Sequence, residues 1–427
     1  MKLPSAIARL LDPVEHQTRP PRPAHRAPAG LYLGYGTKGP VLAGAEHHVL
    51  VLGPPRSGKT SRLIRPALLR HRGPAVVTST KADILTATVR ARSELGQCWY
   101  WDPSGTTVVP GGVRPLTWSP VPDCEIWDHA VARAHSLAAA ARPHHSPHDT
   151  HWIERAQALL AVLLHATAVS GGDLAVLLSW LHRRELLGPA GVLEERGSRR
   201  AADILQGIGH TDSRELSGIF STADSILAAY RSDAALRSTR DPGFEPDQFA
   251  TSTDTLYLVS PASTQAVHAS LVVALLDQIR TAVYRWRPRP PMLYALDEVA
   301  NIAPLPDLPA TLAEGGSQGL VVMACLQDLS QARARWDKAA DGFLTLFTHK
   351  LVLPGIADTE TLKAISTLAG EVDIPVRSET ATNALIPRGT TTWSTHHRPR
   401  LPANRIAAGA PGAAILISGS NLRRVSI

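Results

Sequence analysis

The chain has 427 residues, 44% of them hydrophobic, which is enough for two or three domains with sizeable cores. Its net charge of +7 and its isoelectric point near 9.5 permit a nucleic-acid partner without requiring one. Cys98, Cys124 and Cys325 are isolated in the sequence, which argues against a disulfide framework or a zinc site and favours a reducing, intracellular compartment. No run approaches the roughly 18 apolar residues of a membrane span, and no signal-peptide pattern is present, so we expect a soluble chain.

The N-terminal part of the chain changes character near residue 31. Residues 1–30 are rich in proline, arginine and histidine and predict a flexible tail. Two short apolar segments, 31–36 and 41–43, indicate a hairpin. The apolar run Val49–Leu52 then predicts a buried strand, and a helical pattern opens at Ser61.

Between that strand and that helix lies a glycine-rich loop. Its residues, Gly53-Pro54-Pro55-Arg56-Ser57-Gly58-Lys59-Thr60, fit the pattern G-x-x-x-x-G-K-[ST] at every defined position. Glycines let backbone N–H groups point at phosphates, and the helix start adds the positive end of its dipole. Lys59 is expected to reach the β- and γ-phosphates, and Thr60 to bind Mg²⁺. The predicted nucleotide contacts are Gly53, Pro54, Arg56, Ser57, Gly58, Lys59, Thr60 and Ser61.

Seven further apolar runs each end in polar or turn residues. Uninterrupted apolar runs indicate strands covered on both faces, as in a parallel sheet, and helical stretches lie between many of them. The pattern predicts an α/β fold, a RecA-like P-loop NTPase domain with a mostly parallel central sheet. The runs are residues 75–79, 98–102, 255–259, 293–297, 320–324, 350–353 and 413–417.

The middle of the chain, from about residue 122 to 240, is helical in pattern almost throughout. We therefore predict an all-α domain of residues 122–243 inserted into the nucleotide-binding domain, whose two parts are residues 31–121 and 244–427. The predicted helical segments are residues 126–141, 152–169, 173–187, 201–205 and 215–230.

A histidine cluster precedes the longest of these helices. His144, His145, His148 and His151 make a metal site conceivable, but their spacing matches no standard ligand motif, and a solvated loop is favoured. Near the C-terminus, residues 380–395 are rich in serine and threonine and predict a flexible loop. A small basic patch, residues 396–400, follows that loop.

An acidic pair lies far downstream of the glycine-rich loop. The apolar run Met292–Leu296 ends in Asp297 and Glu298, the Walker B arrangement. Such a run is weak evidence alone but becomes specific beside a P-loop. Asp297 would coordinate Mg²⁺, and Glu298 would polarise the attacking water. Gln327, at the tip of the next buried strand, is placed to sense the γ-phosphate.

This set of motifs resembles the TraG/TraD-type coupling proteins of type IV secretion, and the matching features run from about residue 31 to residue 417. The resemblance implies a hexameric ATP- and Mg²⁺-dependent motor that passes single-stranded DNA, with a bound relaxase, to components of the secretion channel. It also implies substrate recognition by the all-α domain. The matching segments are residues 31–34, 79–83, 101–103, 151–152, 255–258, 296–298, 358–361 and 370–371, together with Gln327.

Two features depart from that family. Typical members carry an N-terminal transmembrane hairpin that this sequence does not show, so either the anchor is a separate protein, or this is a soluble branch, or the start is incomplete. We expect a cytoplasmic protein at the inner face of the membrane, held there only through a partner. Members often also carry an arginine, acting on the neighbouring subunit's nucleotide, where this chain has Gly316. Either another arginine replaces it, with Arg333 and Arg335 as candidates, or turnover is slow. Those two arginines are equally explained as an exposed helix face.

Two other functions stay open from the sequence. One is a related motor with another cargo, such as an FtsK-like double-stranded DNA translocase or a protein-export ATPase. The other is a nucleotide-binding scaffold with little hydrolysis, which the missing arginine would favour. No DNA-contacting residue can be named, because the arginine cluster Arg285, Arg287 and Arg289 is equally explained as a polar connection before a strand.

Overall fold

A computed structural model of the chain describes residues 30–140, 147–381 and 389–427. The predicted tail, apart from Gly30, and two residues of the histidine cluster, His144 and His145, lie outside the described residues.

One twelve-stranded sheet organises the molecule. Its strands are β1 Tyr32–Gly36, β2 Gly39–Leu42, β3 Val49–Leu52, β4 Ala75–Ser79, β5 Cys98–Trp101, β6 Arg114–Pro115, β7 Thr255–Val259, β8 Met292–Leu296, β9 Leu320–Leu326, β10 His349–Val352, β13 Ala413–Ser418 and β14 Asn421–Ser426. Their order in the sheet is β2-β1-β14-β13-β10-β3-β9-β8-β4-β7-β5-β6. The eight strands from β10 to β6 run parallel, and the other four form an antiparallel edge.

The predicted mostly parallel sheet is confirmed, and its cause is visible in burial. Strands β3, β4, β5, β7, β8, β9 and β10 are buried at every position because helices cover both faces. Strand β9 lies between β3 and β8, with Leu326 opposite Leu52 and Ala324 opposite Leu296. The segments that follow these three strands therefore emerge along one edge of the sheet.

The helices lie on both faces of the sheet and in the region between β6 and β7. They are α1 Lys59–Ile64, which is π-helical, α2 Arg65–Arg70, α3 Asp83–Ser93, α4 Trp127–Ala140, α5 Pro147–Val169, α6 Leu174–Arg183, α7 Leu187–Glu195, α8 Arg199–Gly209, α9 Ser213–Ile226, α10 Asp233–Arg237, α11 Pro246–Thr251, α12 Gln265–Trp286, α13 Val299–Ile302, α14 Leu308–Gln318, α15 Leu329–Trp336, α16 Phe343–Leu346, α17 Thr359–Ala369 and α18 Ala403–Ala408. Every regular element described from α4 to α11 is helical, as the sequence pattern indicates.

Helix α12 is the bridge between the helical region and the sheet. Ser136 of α4 donates to Asp277 of α12 at 2.5 Å, and Trp118 Nε1 donates to Gln278 at 2.7 Å. Among the described helices, α12 alone is long and apolar enough to span a membrane. However, 67% of its most apolar 18-residue stretch is buried inside the protein, as in the core helix of a soluble protein. No uninterrupted apolar run spans this helix in the sequence, because Asp277 and Gln278 lie among its apolar residues.

The prediction of a flexible loop at residues 380–395 is wrong at both of its ends. Strands β11 Glu371–Ala381 and β12 Gly389–Pro399 pair antiparallel in a separate two-stranded sheet. The serine- and threonine-rich composition misled the prediction because threonine, although polar, is β-branched and suits an exposed strand. This hairpin is inserted between α17 and α18, which pack against each other.

Candidate functional site

The glycine-rich loop joins β3 to α1, and two of its glycines are dictated by space and backbone angle. Gly58 has a φ of 97°, a left-handed conformation that favours glycine. A Cβ on Gly53 would lie 2.8 Å from Ser57 Oγ and 2.9 Å from Leu353 Cβ, so a side chain would collide there. Arg56 also adopts a left-handed φ of 64°, which is uncommon for a residue with a side chain.

The ammonium group of Lys59 is held inside the loop. It donates to the carbonyl oxygen of Gly53 at 2.6 Å and to that of Pro54 at 3.0 Å, and the residue is only 5% exposed. These bonds fix a positive charge beneath the loop's backbone N–H groups. The arrangement concentrates anion-binding groups at the start of α1.

Thr60 and Asp297 meet across the site although 237 positions separate them in the sequence. The Thr60 hydroxyl donates to Asp297 Oδ2 at 2.6 Å. The backbone carbonyl of Asp297 accepts a 2.8 Å hydrogen bond from the Thr78 hydroxyl at the end of β4. The loop, the tip of β8 and the tip of β4 therefore form one connected site.

Asp297 is a buried acid whose pKa is raised. Burial is the main cause and the neighbouring Glu298 carboxylate adds to it, while the Thr60 hydroxyl and the Lys59 ammonium act in the opposite direction. A cation that binds beside such a buried carboxyl group stabilises its ionised form. A hydroxyl and a carboxylate oxygen in contact are also the ligand types that Mg²⁺ prefers.

Glu298 follows in a left-handed conformation, with a φ of 52°, and directly precedes α13. Its side chain is partly exposed, and Asn301 Nδ2 donates to its Oε2 at 3.2 Å. Asp297 is buried, whereas Glu298, with its left-handed backbone, is partly exposed, and both side chains line the cleft. Strained backbone of this kind concentrates at functional sites.

These groups surround a cleft of about 520 Å³. Eight of the predicted site residues line it, which are Arg56, Ser57, Gly58, Lys59, Thr60, Ser61, Asp297 and Glu298. Gly53 and Pro54 do not line it but hold Lys59 through their carbonyl groups. The hydroxyl of Ser57 is buried without a hydrogen-bond partner among the described residues, so it is a polar group that a ligand at the loop could satisfy.

Gln327 lies at the same edge of the sheet, directly after β9, but outside the cleft lining. Its backbone N–H donates to the side chain of Gln331 at 2.8 Å. The role assigned to its side chain in γ-phosphate sensing stays a prediction.

A second wall of the cleft was missed by the sequence analysis. It is formed by the junction of β4 with α3, which contributes Thr80, Lys81, Asp83, Ile84 and Ala87, while Pro55 and Arg65 join the loop side. Since β4 pairs with β8 in the sheet, the rule that ligands bind at strand carboxyl ends would have pointed there once the strand order was known.

Steric crowding explains why this chain has glycine at position 316, where members of the family often have an arginine. A Cβ on Gly316 would lie 2.2 Å from the carbonyl oxygen of Glu46, so this position cannot hold a side chain without moving the backbone. Of the two candidate replacements, Arg333 is paired with Asp358 at 3.1 Å. Arg335 is partly buried, and burial lowers the pKa of its guanidinium.

Two arginines of the cluster before β8 form ion pairs with nearby acids. Arg285 pairs with Asp247 at 2.7 Å, and Arg289 pairs with Glu46 at 3.1 Å. Within the described residues, no three histidine, cysteine or acidic side chains are grouped as a metal site would require. His151, the member of the histidine cluster whose side chain is described, lies 3.6 Å from a Glu215 oxygen.

Comparison with known proteins gives consistent results. Residues 14–408 match the family described as type IV secretory system conjugative DNA transfer. Two conjugal transfer proteins TraG of Escherichia coli are 26% and 25% identical over 67% and 83% of this chain, and 49% and 60% of their own. Protein VirD4 of Rhizobium rhizogenes is 23% identical over 80% of this chain and 52% of its own. The chain thus spans about half of the length of the curated relatives it matches.

Solved structures show the same fold. The plasmid coupling protein TrwB, in complex with the non-hydrolysable ATP analogue ADPNP, superposes with a TM-score of 0.70 at 18% identity, covering 95% of each chain. TrwB in complex with ADP and Mg²⁺ has a TM-score of 0.67 at the same identity. With its sheet, its paired loop and acids, and a family match that takes in nearly the whole sequence, this chain belongs to the conjugative DNA-transfer family of type IV secretion.

Proposed function

We propose that the protein is a DNA-translocating ATPase that couples conjugative transfer to a type IV secretion channel. The observation that carries this proposal is the 2.6 Å contact between Thr60 and Asp297, with Lys59 and Glu298 at the same cleft. A P-loop hydroxyl, a Walker B carboxylate, a buried lysine and a second acid are the groups that phosphoryl transfer to water requires.

The residues of the cleft fit a nucleoside triphosphate with Mg²⁺. The loop backbone and Lys59 would bind the β- and γ-phosphates, and the Ser57 hydroxyl would gain a partner there. Thr60 and Asp297 would hold the Mg²⁺ ion, which would neutralise charge that develops on the phosphate oxygens. A TrwB structure contains ADP and Mg²⁺, which supports the same assignment for this chain.

Glu298 is the group that we assign to the attacking water. Its partly exposed carboxylate would orient the water and take its proton. The oxygen of that water forms a bond to the γ-phosphorus as the bond to the bridging oxygen breaks, and the electron pair of the broken bond stays on ADP. Gln327, at the end of the neighbouring strand, would report the loss of the γ-phosphate.

The cargo and the assembly are assigned from the family. We propose that residues 31–121 and 244–427 form the motor and that the helical region 122–243 receives the substrate. Its partners would be single-stranded DNA, a relaxase or relaxosome and the channel components, in a homohexamer at the cytoplasmic face of the membrane. The relatives TraG and VirD4, by name and by family, support a role in DNA transfer.

ATP hydrolysis by the purified protein, measured with and without single-stranded DNA across protein concentration, tests this proposal. We expect a turnover number that rises with DNA and with concentration, because assembly would complete the motor. Glu298→Gln should keep ATP binding and lose hydrolysis, whereas Lys59→Ala should lose both. Activity indifferent to DNA would favour protein export, equal stimulation by double-stranded DNA would favour an FtsK-like pump, and no hydrolysis under any condition would refute the motor.

A further inference from the structure

The two walls of the cleft each carry a lysine. Lys59 belongs to the wall made by the loop and α1, and Lys81 belongs to the wall made by the junction of β4 with α3. The tip of β8, with Asp297 and Glu298, lies between them, because β4 pairs with β8 and Thr78 bonds to the carbonyl of Asp297.

The turn that carries Lys81 is fixed, while its ammonium group is not. The backbone N–H of Lys81 donates to Ser79 Oγ at 3.3 Å, and that hydroxyl donates to Asp83 Oδ1 at the same distance. Asp83 also accepts from the backbone N–H of Ile84 at 2.9 Å at the start of α3. The Lys81 ammonium forms no hydrogen bond or ion pair within the described parts of the chain, although Asp83, Asp297 and Glu298 line the same cleft.

A cation on the wall that carries Lys81 could stabilise the negative charge that develops during phosphoryl transfer. The transition state spreads negative charge over the oxygens of the transferred group, and cations positioned there can be worth several orders of magnitude in rate. Arg56 and Arg65 lie on the same wall as Lys59. Position 316 has no room for a side chain, and Arg333 is paired with Asp358.

We propose that Lys81 is a catalytic residue, whose ammonium group contacts the terminal phosphate of the bound nucleoside triphosphate from the wall opposite Lys59. It stabilises the charge on the γ-phosphate oxygens as the bond to the bridging oxygen breaks. Lys81 thereby supplies, from the same subunit, a cation that position 316 cannot provide. This inference rests on the proposed ATP hydrolysis and adds to it a second cationic group.

The test is to compare ATP and ADP binding and turnover in Lys81→Ala. Loss of one charge-assisted contact that exists only with the γ-phosphate should weaken ATP binding about 10-fold and leave ADP binding unchanged. The turnover number should fall about 100-fold or more, because the contact strengthens as charge develops. Lys81→Arg should recover part of the turnover, and Lys38→Ala, an exposed lysine between β1 and β2 outside the cleft, should behave as the parent.

The outcomes separate this inference from the proposed function. Equal loss of ATP and ADP binding in Lys81→Ala, or unchanged ATP affinity and turnover, would overturn the role of Lys81 while leaving the ATPase intact. If the parent protein bound ATP without hydrolysing it, the motor would fail, yet the ratio of ATP to ADP affinity would still decide whether Lys81 contacts the γ-phosphate. Circular dichroism melts of each variant establish that the fold is retained.

Discussion

The carboxyl group of Asp297, which we assign to Mg²⁺ binding, destabilises the folded protein when it is ionised and no cation is bound. Its pKa is raised chiefly by burial, so ionising the carboxyl destabilises the folded state. That destabilisation is absent below the pKa of the unfolded chain, near 3.9, and grows as the pH rises towards and through the higher folded value. An isosteric amide at this position avoids it, since it keeps an acceptor for the Thr60 hydroxyl without the charge.

We therefore predict that Asp297→Asn raises the melting temperature of the nucleotide-free protein and abolishes Mg²⁺-dependent hydrolysis. The gain in melting temperature should be larger at pH 8 than at pH 4.5. Thermal melts at the two pH values measure this, with Glu298→Gln as the matched control because Glu298 is only partly buried. Equal melting temperatures of parent and Asp297→Asn at pH 8 would contradict the assignment of a buried ionised carboxyl.

Arg92 is a buried cation that acts as a structural crosslink. It is 1% exposed and donates to Thr255 Oγ1 at 2.7 Å and to the carbonyl oxygens of His71, Gly73 and Thr253 at 2.6, 2.9 and 3.2 Å. Burial lowers the pKa of its guanidinium. These bonds join the segment before β4 to the start of β7, and those to the Gly73 carbonyl and the Thr255 hydroxyl are buried.

We expect Arg92→Met to reduce the free energy of unfolding by on the order of 3 kcal/mol, because it leaves buried and partly buried acceptors unsatisfied. Arg92→Lys should recover little, since one ammonium group cannot reach acceptors that a planar guanidinium joins. Urea denaturation measures the difference. Arg90→Ala, an exposed position on the same helix, should change stability by less than about 0.5 kcal/mol. A similar loss in both variants would refute the crosslink.

At the scale of the element, the strands followed from the sequence more closely than their neighbours did. Strands β4 and β7 have the predicted bounds because each contains a short apolar run with a polar residue at or directly after its C-terminal end, Ser79 in β4 and Ser260 after β7. Hairpin β11–β12 was missed because its stability rests on pairing between residues such as Glu371 and Pro399, which no local pattern reveals. The second wall of the cleft was missed because it depends on the order of strands.

Two glycines within helices, Gly218 and Gly207, differ in how closely neighbouring atoms pack against them. A Cβ on Gly218 of α9 would lie 2.5 Å from the ring of Trp152 on α5, so the glycine permits the close approach of these helices. Gly207 of α8 is exposed, and a Cβ added to it would have no neighbouring atom within 4 Å outside its own helix backbone. The two glycines therefore differ in packing while sharing a helical backbone.

Gly218→Ala should be destabilising by about 1–3 kcal/mol, because the aromatic ring or the helix must move. Gly207→Ala should instead be stabilising by about 0.5–1 kcal/mol, because alanine has the higher helix propensity. Chemical denaturation of both variants gives the two signs. A stabilised Gly218→Ala protein would mean that α5 and α9 are not packed as closely as the structure has them.

At the scale of the whole molecule, the helical region shares one hydrophobic core with one face of the sheet, while the other face packs in a second cluster. The buried cluster includes Trp99 and Leu256 of the sheet, Leu160 of α5, Leu205 of α8 and Leu276 of α12 without interruption. The sequence pattern predicts the helical character of the segments between β6 and β7, but it could not show that α12 packs against both the helical region and the sheet. Helical periodicity reports which residues are apolar and not which neighbours cover them.

We therefore predict that the described parts of the chain unfold as one unit, even though a region whose described residues form seven α-helices and one 3₁₀ helix is inserted between β6 and α11. Far-ultraviolet circular dichroism and tryptophan fluorescence should give coincident thermal transitions. Gly218→Ala in the helical region should lower, and Asp297→Asn at the sheet edge should raise, the midpoint of that same transition. Two resolved transitions, each shifted by only one of these substitutions, would instead mean that the shared core is too weak to couple the regions, since cooperative unfolding requires that losing one region exposes the apolar surface of the other.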